Sequence, residues 1–172
     1  IGDARQELPP LIDLTLAVAV PKGERLDWLV EKATELGAGR LVPIQAQRSV
    51  VEPRASKLDR LRRTVVEASK QCGRNRLMEI APLTPFHQVI EDRPDELRLI
   101  AHPGGLTSRE WPGIVEGSRV TLAVGPEGGF TEDEVESAIR IGWVPVSLGS
   151  HLLRIETAGI VGLAAILARA GG

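Results

Sequence analysis

The sequence predicts an α/β fold in which a parallel sheet is flanked by helices, and two stretches of the chain carry this prediction. In residues 120–168, a β-branched apolar run precedes a glycine-rich loop, a helix, a second strand, another loop and a final helix. In residues 14–44, a strand, a helix and a strand follow one another. Alternating strands and helices form parallel sheets, whose ligands bind beyond the carboxyl ends of the strands. We therefore expect the functional site in the loops that follow the strands.

The composition is that of one globular domain, with 172 residues, 42% of them hydrophobic and 26% charged. The longest apolar run, Ala158 to Ala168, is shorter than the roughly 20 residues that span a bilayer. Because no leader segment opens the chain either, we expect a cytoplasmic protein without a membrane partner. The lone Cys72 and three histidines without ligand spacing predict that no metal is bound.

The first strands and the first helix are predicted in the amino-terminal quarter of the chain. Residues 1–12 are polar and rich in proline, so we interpret them as a linker or tail and residues 13–172 as the folded domain. Leu14 to Val20 is an apolar run that fits a buried strand. Apolar residues at helical spacing predict a helix over Leu26 to Leu36, and a strand follows near Leu41 to Ile44.

A basic block follows, in which Arg54 to Cys72 forms a helix with a single apolar stripe. Residues 40–76 hold ten lysines and arginines against three acidic residues, whereas the protein as a whole carries a net charge of -2. Such a block suits the phosphate backbone of a nucleic acid, and a solvated helix face explains it equally well. The Gly73 to Arg76 loop favours RNA, because guanidinium and amide groups contact phosphates and unpaired base edges. The candidate RNA-binding residues are Arg48, Arg60, Arg63, Lys70, Arg74, Asn75 and Arg76.

The middle of the chain predicts short elements. Leu77 to Ile80 fits a strand, Pro85 to Ile90 a short helix and Glu91 to Glu96 an acidic turn. Leu97 to Ala101 fits another strand, which we expect to end at a loop formed by residues 102–105, His-Pro-Gly-Gly. In a parallel sheet, this loop would lie on the same rim as the other loops that follow strands.

The glycine-rich loop at Gly125 to Gly129 separates a strand, Val120 to Val124, from a well-marked helix. Thr131 followed by Glu134 is a capping box, which predicts where this helix begins. A tight turn alone would explain the glycines. The sequence lacks the phosphate-binding GxxxxGK[ST] pattern, so a nucleotide triphosphate is not expected here.

The chain closes with a strand over Val144 to Leu148, a loop over Gly149 to Leu153 and a helix from about Arg154. This helix is apolar almost all round, so it must be covered on several sides. A line of small residues on it permits the close approach of a partner helix, and we therefore expect a dimer. This line consists of Ala158, Gly162 and Ala165.

Four segments of the sequence, in the expected order, resemble the signature segments of the RsmE family, the 16S ribosomal RNA uridine-N3 methyltransferases of the SPOUT class. They are KGERLDWLVEKATELGA at Lys22 to Ala38, QCGRNR at Gln71 to Arg76, GPEGGF at Gly125 to Phe130 and LLRIETA at Leu152 to Ala158. Ile155 departs from the family pattern, which more often has a small residue there. The resemblance extends over nearly the whole chain.

The resemblance implies a SPOUT-type parallel sheet with a carboxyl-terminal trefoil knot, a homodimer face beside the knot, and 16S ribosomal RNA or the small ribosomal subunit as partner. The family begins with a small RNA-binding domain, so residues 1–12 would remain from an amino-terminal domain that is absent here. The implied cofactor is S-adenosylmethionine, held by three rim loops. The implied cofactor-binding residues are Ala101, His102, Pro103, Val124, Gly125, Gly128, Gly129, Leu148, Gly149, Leu152 and Leu153.

Methyl transfer to uracil N3 requires the loss of an imide proton, and three charged residues are candidates for this chemistry. Arg154 is the first candidate, because a cation stabilises the anion that forms. Glu127 and then Glu156 are candidate proton acceptors. Simpler roles compete, since Glu156 also suits the first turn of a helix and Arg154 suits a pair with it.

Two other functions remain open from the sequence. A SPOUT enzyme could act on transfer RNA at a ribose hydroxyl, although the QCGRNR and LLRIETA segments argue against it. A non-catalytic RNA-binding or ribosome-assembly protein could retain the fold, in which case the basic block would bind RNA without any affinity for S-adenosylmethionine.

Overall fold

The structure is a computed structural model that describes residues 10–53, 55–91 and 96–171. Within them, one parallel sheet contains the strands β1 (Asp13–Ala19), β2 (Arg40–Gln45), β3 (Glu79–Ile80), β4 (Thr84–Pro85), β5 (Leu97–Leu106), β6 (Arg119–Val124) and β7 (Val144–Val146). The helices are α1 (Arg25–Glu35), α2 (Ala55–Cys72), α3 (Phe86–Glu91), α4 (Glu132–Arg140) and α5 (Ile155–Ala170). The predicted α/β class and parallel sheet are therefore confirmed.

The sheet runs in the order β3-β2-β1-β6-β5-β7. Strand β3 pairs with the beginning of β2, and β4 pairs with the end of β2. Every strand pair is parallel, with Leu16 of β1 beside Leu41 of β2 on one side and Leu122 of β6 on the other. All of β1 after its first residue is buried, because helices cover both faces of a parallel sheet. This explains why β1 is apolar without alternation.

Helix α5 packs on one face of the sheet, against β1, β6 and α1. Its glycines make this contact close: a Cβ atom on Gly159 would lie 3.0 Å from Leu29 Cδ1, and one on Gly162 would overlap Leu122 Cδ2. Gly162 and Ala158 are buried in this way. Two members of the small-residue line therefore face the domain's own core, and the exposed face of α5 carries other residues, among them Val161.

An aromatic cluster lies among β7, α3 and the segment that enters α4. The rings of Phe86 and Phe130 stack at 4.3 Å, and Trp143 meets Phe86 edge-on at 6.4 Å. The indole nitrogen of Trp143 donates to the Ile90 carbonyl at 3.3 Å. All three rings are buried. Three of the five aromatic residues of the chain thus gather behind the glycine-rich loop, where they fix the entry to α4.

The predicted helix boundaries hold closely, and the beginning of α4 is the clearest case. Thr131 accepts from the Glu134 amide, and the Glu134 carboxylate accepts from the Thr131 amide at 2.9 Å, so the capping box is formed. Beyond the carboxyl end of α4, Gly142 has φ +92°. This left-handed residue turns the chain toward β7, as expected of a glycine at this position.

The prediction for β5 was wrong in its carboxyl-terminal half. We expected the strand to end at Ala101, but β5 continues to Leu106 with an irregular register, and Ala101 and Leu106 both pair with Val146. Gly105 makes this possible, because a Cβ atom there would lie 2.5 Å from the Pro145 carbonyl carbon. Residues 102–105 are therefore a bulged part of β5 that approaches β7 closely, instead of a free loop.

Strand β4 was not predicted, and the helix expected from Pro85 begins at Phe86. The remaining boundaries differ little from expectation. Strand β3 begins at Glu79, two residues later than predicted, and β7 ends at Val146, two residues earlier. Most of the predicted tail and most of the predicted acidic turn lie outside the described residues. In the part of the chain that is described, no helix has the length and apolar character needed to cross a membrane.

Candidate active site

A cavity of about 490 Å³ opens at the carboxyl ends of β5, β6 and β7. It is bounded by the bulged end of β5, by the loop between β6 and α4, and by the loop between β7 and α5. All eleven residues for which a cofactor role was predicted line it: Ala101, His102, Pro103, Val124, Gly125, Gly128, Gly129, Leu148, Gly149, Leu152 and Leu153. Six further lining residues were not predicted: Pro126, Phe130, Ser147, Ser150, His151 and Ala158.

The loop between β6 and α4 approaches the cavity with its backbone. A Cβ atom on Gly125 would lie 3.0 Å from the Phe130 ring, and Gly129 has φ +70° with its amide bonded to the Pro126 carbonyl at 2.8 Å. A larger residue at either position would crowd Phe130 or strain the turn. The glycines therefore leave peptide groups, rather than side chains, along this wall of the cavity.

A segment that follows β2 braces this loop from outside. The Arg48 guanidinium donates to the Gly128 carbonyl at 2.7 Å, and the Gln47 amide donates to the Glu134 carboxylate at 2.8 Å. Arg48 was predicted to bind RNA; the structure places its Nη1 atom against the glycine-rich loop while the residue stays exposed, and its role in RNA binding stays a prediction. No local sequence signal indicates this contact, because Arg48 and Gly128 are 80 residues apart.

The loop between β7 and α5 supplies an apolar rim. The Ser147 amide donates to the Leu106 carbonyl at 2.8 Å, which ties the start of the loop to the bulged end of β5. Gly149 has φ +137°, and Leu152 is 89% exposed. An apolar side chain this exposed at a cavity mouth offers contact area to a ligand that enters the cavity.

The three predicted catalytic residues occupy different environments. Glu127 lines the cavity, and its side chain is 48% exposed. Glu156 is buried in the first turn of α5, and its Oε2 atom has no hydrogen-bond partner among the described residues. Arg154 is exposed immediately before α5 and does not line the cavity. Its guanidinium makes no hydrogen bond or ion pair within the described part of the chain.

Two basic residues beside the cavity were missed by the sequence analysis as site residues. Arg25 Nη1 lies 3.6 Å from Glu127 Oε1 and 3.7 Å from Glu156 Oε1, and Lys22 Nζ lies 3.9 Å from Glu127 Oε2. Both belong to the Lys22 to Ala38 segment, whose resemblance to the family was the only available signal. They bring positive charge to two carboxylates that would otherwise repel each other.

Most of the candidate RNA-binding residues already have partners. Arg60 forms an ion pair with Asp27 at 3.0 Å, and Lys70 bonds to Glu67 at 2.9 Å. Asn75 and Arg76 also interact with neighbouring groups. Arg63 is exposed and makes no hydrogen bond or ion pair with another described residue.

The Arg74 side chain has a structural position that the sequence analysis did not foresee. Its guanidinium donates to the carbonyls of Thr34 at 2.6 Å and Ala38 at 3.1 Å, at the carboxyl end of α1. Helix ends leave such carbonyls without intrahelical partners. We expected free guanidinium groups in the Gly73 to Arg76 loop, but that of Arg74 is engaged within the domain. The role of Arg74 in RNA binding stays a prediction.

A second, larger groove does not coincide with the predicted site. It has a volume of about 640 Å³ and lies between the segment after β2, α3 and the start of α4. Asp133 and Glu134 line it, and none of the predicted cofactor residues does. The groove also adjoins the last residues of β2 and β4, so its place at strand ends does not decide between the two. We assign the site to the smaller cavity, because the three loops that hold all the predicted cofactor residues meet there. Within the described residues, no group of three or more metal-ligating side chains is found.

Comparison with known families and proteins shows to which class of protein this fold and site belong. The family described as RNA methyltransferase domain matches residues 7–167. Ribosomal RNA small subunit methyltransferase E from Synechocystis sp. is 38% identical, with 94% of this chain and 54% of that protein covered. The enzyme of the same name from Bacillus subtilis is 36% identical, with 94% and 67% covered.

Structural comparison agrees with these sequence relatives. The crystal structure of ribosomal RNA small subunit methyltransferase E from Neisseria gonorrhoeae bound to S-adenosyl methionine matches with a TM-score of 0.84 at 29% identity, with 91% of this chain and 66% of that chain covered. This chain therefore belongs to the RNA methyltransferase domain family and, within it, to the ribosomal RNA small subunit methyltransferases E. It spans between about half and two thirds of the length of these relatives.

Proposed function

We propose that this chain is the catalytic domain of an enzyme that transfers the methyl group of S-adenosylmethionine to N3 of a uridine in 16S ribosomal RNA. The observation that most strongly supports this proposal is that three separate segments meet around one cavity at the carboxyl ends of parallel strands. These segments are residues 101–103, 124–130 and 147–153. This is where an α/β sheet binds its ligand. Membership of the methyltransferase E family supports the reaction and the RNA substrate.

The residues present suit this cofactor. A cavity of about 490 Å³ lies within the roughly 300–1,000 Å³ typical of ligand pockets. The glycines of the β6–α4 loop present backbone donors and acceptors for the edge of a base, and Leu148, Leu152 and Leu153 offer apolar surface for its faces. When bound, the cofactor supplies a methyl group on a sulfonium centre that is already a strong electrophile. The protein then has to orient the acceptor, exclude water and move one proton.

Glu127 is our candidate for the group that accepts the N3 proton, because it is the carboxylate that lines the cavity while remaining accessible to a substrate. Glu156 is too buried to receive this proton directly, so we place it beside the reaction as a fixed negative charge. Arg154 carries an unengaged cation between the cavity rim and α5, and it would stabilise the negative charge that develops on the uracil ring.

For the RNA, we propose that the basic block between Arg40 and Arg76 contacts the phosphate backbone, with Arg63 as the most available of the candidate RNA-binding residues. Residues such as Arg60 and Lys70 would have to exchange their present partners for phosphates. The Lys70–Glu67 pair is exposed, so its exchange costs little. Asp27 is only 16% exposed, but it would keep Lys57 as a partner when Arg60 moved to a phosphate. The action on ribosomal RNA would place the protein in the cytoplasm.

We also propose a homodimer and a carboxyl-terminal trefoil knot, as the family resemblance implies. The exposed face of α5 supports the dimer, because Val161, Ala164 and Ala168 form an apolar stripe that the domain itself does not cover. The long course of the chain from β7 through the cavity loop into α5 is the segment that would form the knot. Sedimentation at two protein concentrations tests the dimer, which would be refuted by a monomer throughout.

The experiment that tests the function has two parts. Calorimetric titration with S-adenosylmethionine should show saturable binding, and digestion of methylated small-subunit RNA should yield 3-methyluridine. Leu152→Asp should weaken cofactor binding about tenfold by removing apolar contact at the rim. Val115→Asp is the matched control, because Val115 is 69% exposed and lies outside the cavity. Absence of cofactor binding would refute the proposal. A methyl group found on a ribose or on transfer RNA would show that the enzyme has a different target.

A further inference from the structure

The Arg25 guanidinium lies between two carboxylates that come from separate parts of the fold. Its Nη1 atom is 3.6 Å from Glu127 Oε1, in the β6–α4 loop, and 3.7 Å from Glu156 Oε1, in the first turn of α5. Its Nε atom donates to the Lys22 carbonyl at 3.2 Å, in the turn that precedes α1. One side chain therefore joins three segments at the edge of the cavity.

The two carboxylates have very different access to solvent. The Glu127 side chain is 48% exposed and lines the cavity, whereas the Glu156 side chain is 9% exposed. A nearby cation stabilises a buried carboxylate in its ionised form, and it also reduces the repulsion between two neighbouring carboxylates. Lys22 reaches only Glu127, at 3.9 Å, and Arg154 forms no ion pair with Glu156. Among the described residues, Arg25 is thus the cation that faces both.

The Glu127 carboxylate is contacted from outside its own loop, by Arg25 at 3.6 Å and by Lys22 at 3.9 Å. It lies in a loop with glycines on both sides, and this loop has no side chain of its own that holds the carboxylate in one direction. Proton transfer requires the accepting atom within hydrogen-bond distance of the proton, and an error of about 1 Å costs on the order of 100-fold in rate. A contact that fixes the Glu127 carboxylate therefore acts on the reaction itself.

We propose that Arg25 is a positioning residue for methyl transfer. It holds the Glu127 carboxylate at the cavity rim and balances the buried charge of Glu156 while it does so. This inference rests on the proposed function, because it assigns Arg25 a role through the group that we propose as proton acceptor. Arg25 itself does not line the cavity.

If Arg25 had only a structural role, it would stabilise the packing between α1 and α5. That packing, however, depends mainly on apolar contacts. Leu29 is fully buried, and its Cδ1 atom lies 3.0 Å from where a Cβ atom of Gly159 would stand. The Arg25 side chain is 35% exposed at the end of this contact. Replacing Arg25 with methionine keeps the apolar stem and removes the charge, so the helices should still pack together.

The test compares Arg25→Met with Arg25→Lys and with Lys32→Met as a matched control. Lys32 lies on the same helix but bonds to Glu31 and Glu35, away from the cavity. For each variant, kcat and KM for small-subunit RNA are measured, together with the cofactor Kd and the melting temperature. We expect kcat to fall about 10- to 100-fold in Arg25→Met, with less than about threefold change in KM and Kd. Arg25→Lys should recover most of this loss, and Lys32→Met should behave as the unmodified protein.

A double variant shows whether Arg25 acts through Glu127. Once Glu127→Gln has removed the carboxylate, Arg25→Met should lower kcat by less than about threefold more. Unchanged kcat in Arg25→Met, a lysine variant no better than the methionine variant, or full additivity with Glu127→Gln would each overturn the inference. A parallel loss of cofactor affinity and melting temperature would also overturn it, in favour of a structural role. Failure of the unmodified protein to methylate RNA would instead refute the proposed function.

Discussion

Substitution of Gly105 tests whether the close approach of the bulged end of β5 to β7 is needed to form the cavity wall. In Gly105→Ala, the new Cβ atom would lie 2.5 Å from the Pro145 carbonyl carbon and 2.7 Å from its oxygen. These are backbone atoms, so no side-chain rotation relieves the overlap, and β5 and β7 must move apart by about 1 Å. Gly104→Ala is a matched control, because its Cβ atom would lie 3.5 Å from the His102 ring, an ordinary contact distance.

The cost of this movement can be estimated from the structure. Overpacking of a close contact costs about 1–3 kcal/mol, and the backbone overlap at Gly105 places this change at the upper end. Weakening the bond from the Ser147 amide to the Leu106 carbonyl adds about 1 kcal/mol. For a chain of 172 residues, each kcal/mol lowers the melting temperature by about 2–4 °C. We therefore expect a loss of about 8–16 °C in Gly105→Ala and almost none in Gly104→Ala.

Thermal unfolding followed by circular dichroism measures this difference, and calorimetry with S-adenosylmethionine measures its effect on the site. Because Ser147, Leu148 and Gly149 line the cavity directly after β7, we expect Gly105→Ala to bind the cofactor at least about tenfold more weakly. Melting temperatures of the two variants within about 2 °C of each other would refute the close approach of β5 to β7.

Four further predictions concern the site, the helix that follows it and the basic block. Arg154→Ala should lower kcat about 10- to 100-fold with an unchanged cofactor Kd, since its cation is expected to act only as charge develops on the uracil; equal activity in single-turnover assays would remove Arg154 from the mechanism. Thr131→Ala removes the side-chain cap of α4 and should cost about 1 kcal/mol, measured by urea unfolding; a cost below about 0.3 kcal/mol would contradict the observed cap. Arg63→Ala should reduce the salt dependence of RNA binding by about one phosphate contact without affecting stability. By contrast, Arg74→Met should destabilise the protein by about 1–3 kcal/mol, because its guanidinium bonds to three backbone carbonyls at the end of α1 are lost, although the Thr34 carbonyl keeps the Gly37 amide. An unaltered melting temperature would refute this role.

The sequence determined those features whose physical cause is local. The apolar run of β1, the capping box at Thr131 and Glu134, and the left-handed Gly142 each depend on residues within a few positions of one another. The parallel sheet follows from the alternation of such elements, because strands joined by helices run in the same direction. The candidate cofactor residues were implied by the family resemblance, and parallel strand ends explain why they meet around one cavity.

Only the tertiary structure decided how distant polar groups are paired. Arg48 bonds to Gly128, Arg74 bonds to the end of α1, and Arg25 faces both Glu127 and Glu156, across separations that no local pattern encodes. The sequence shows that the basic block is charged, but a charge pattern does not reveal which cations are already engaged. Engagement depends on which groups the sheet order and helix packing bring within about 4 Å, where electrostatic attraction and hydrogen bonding act.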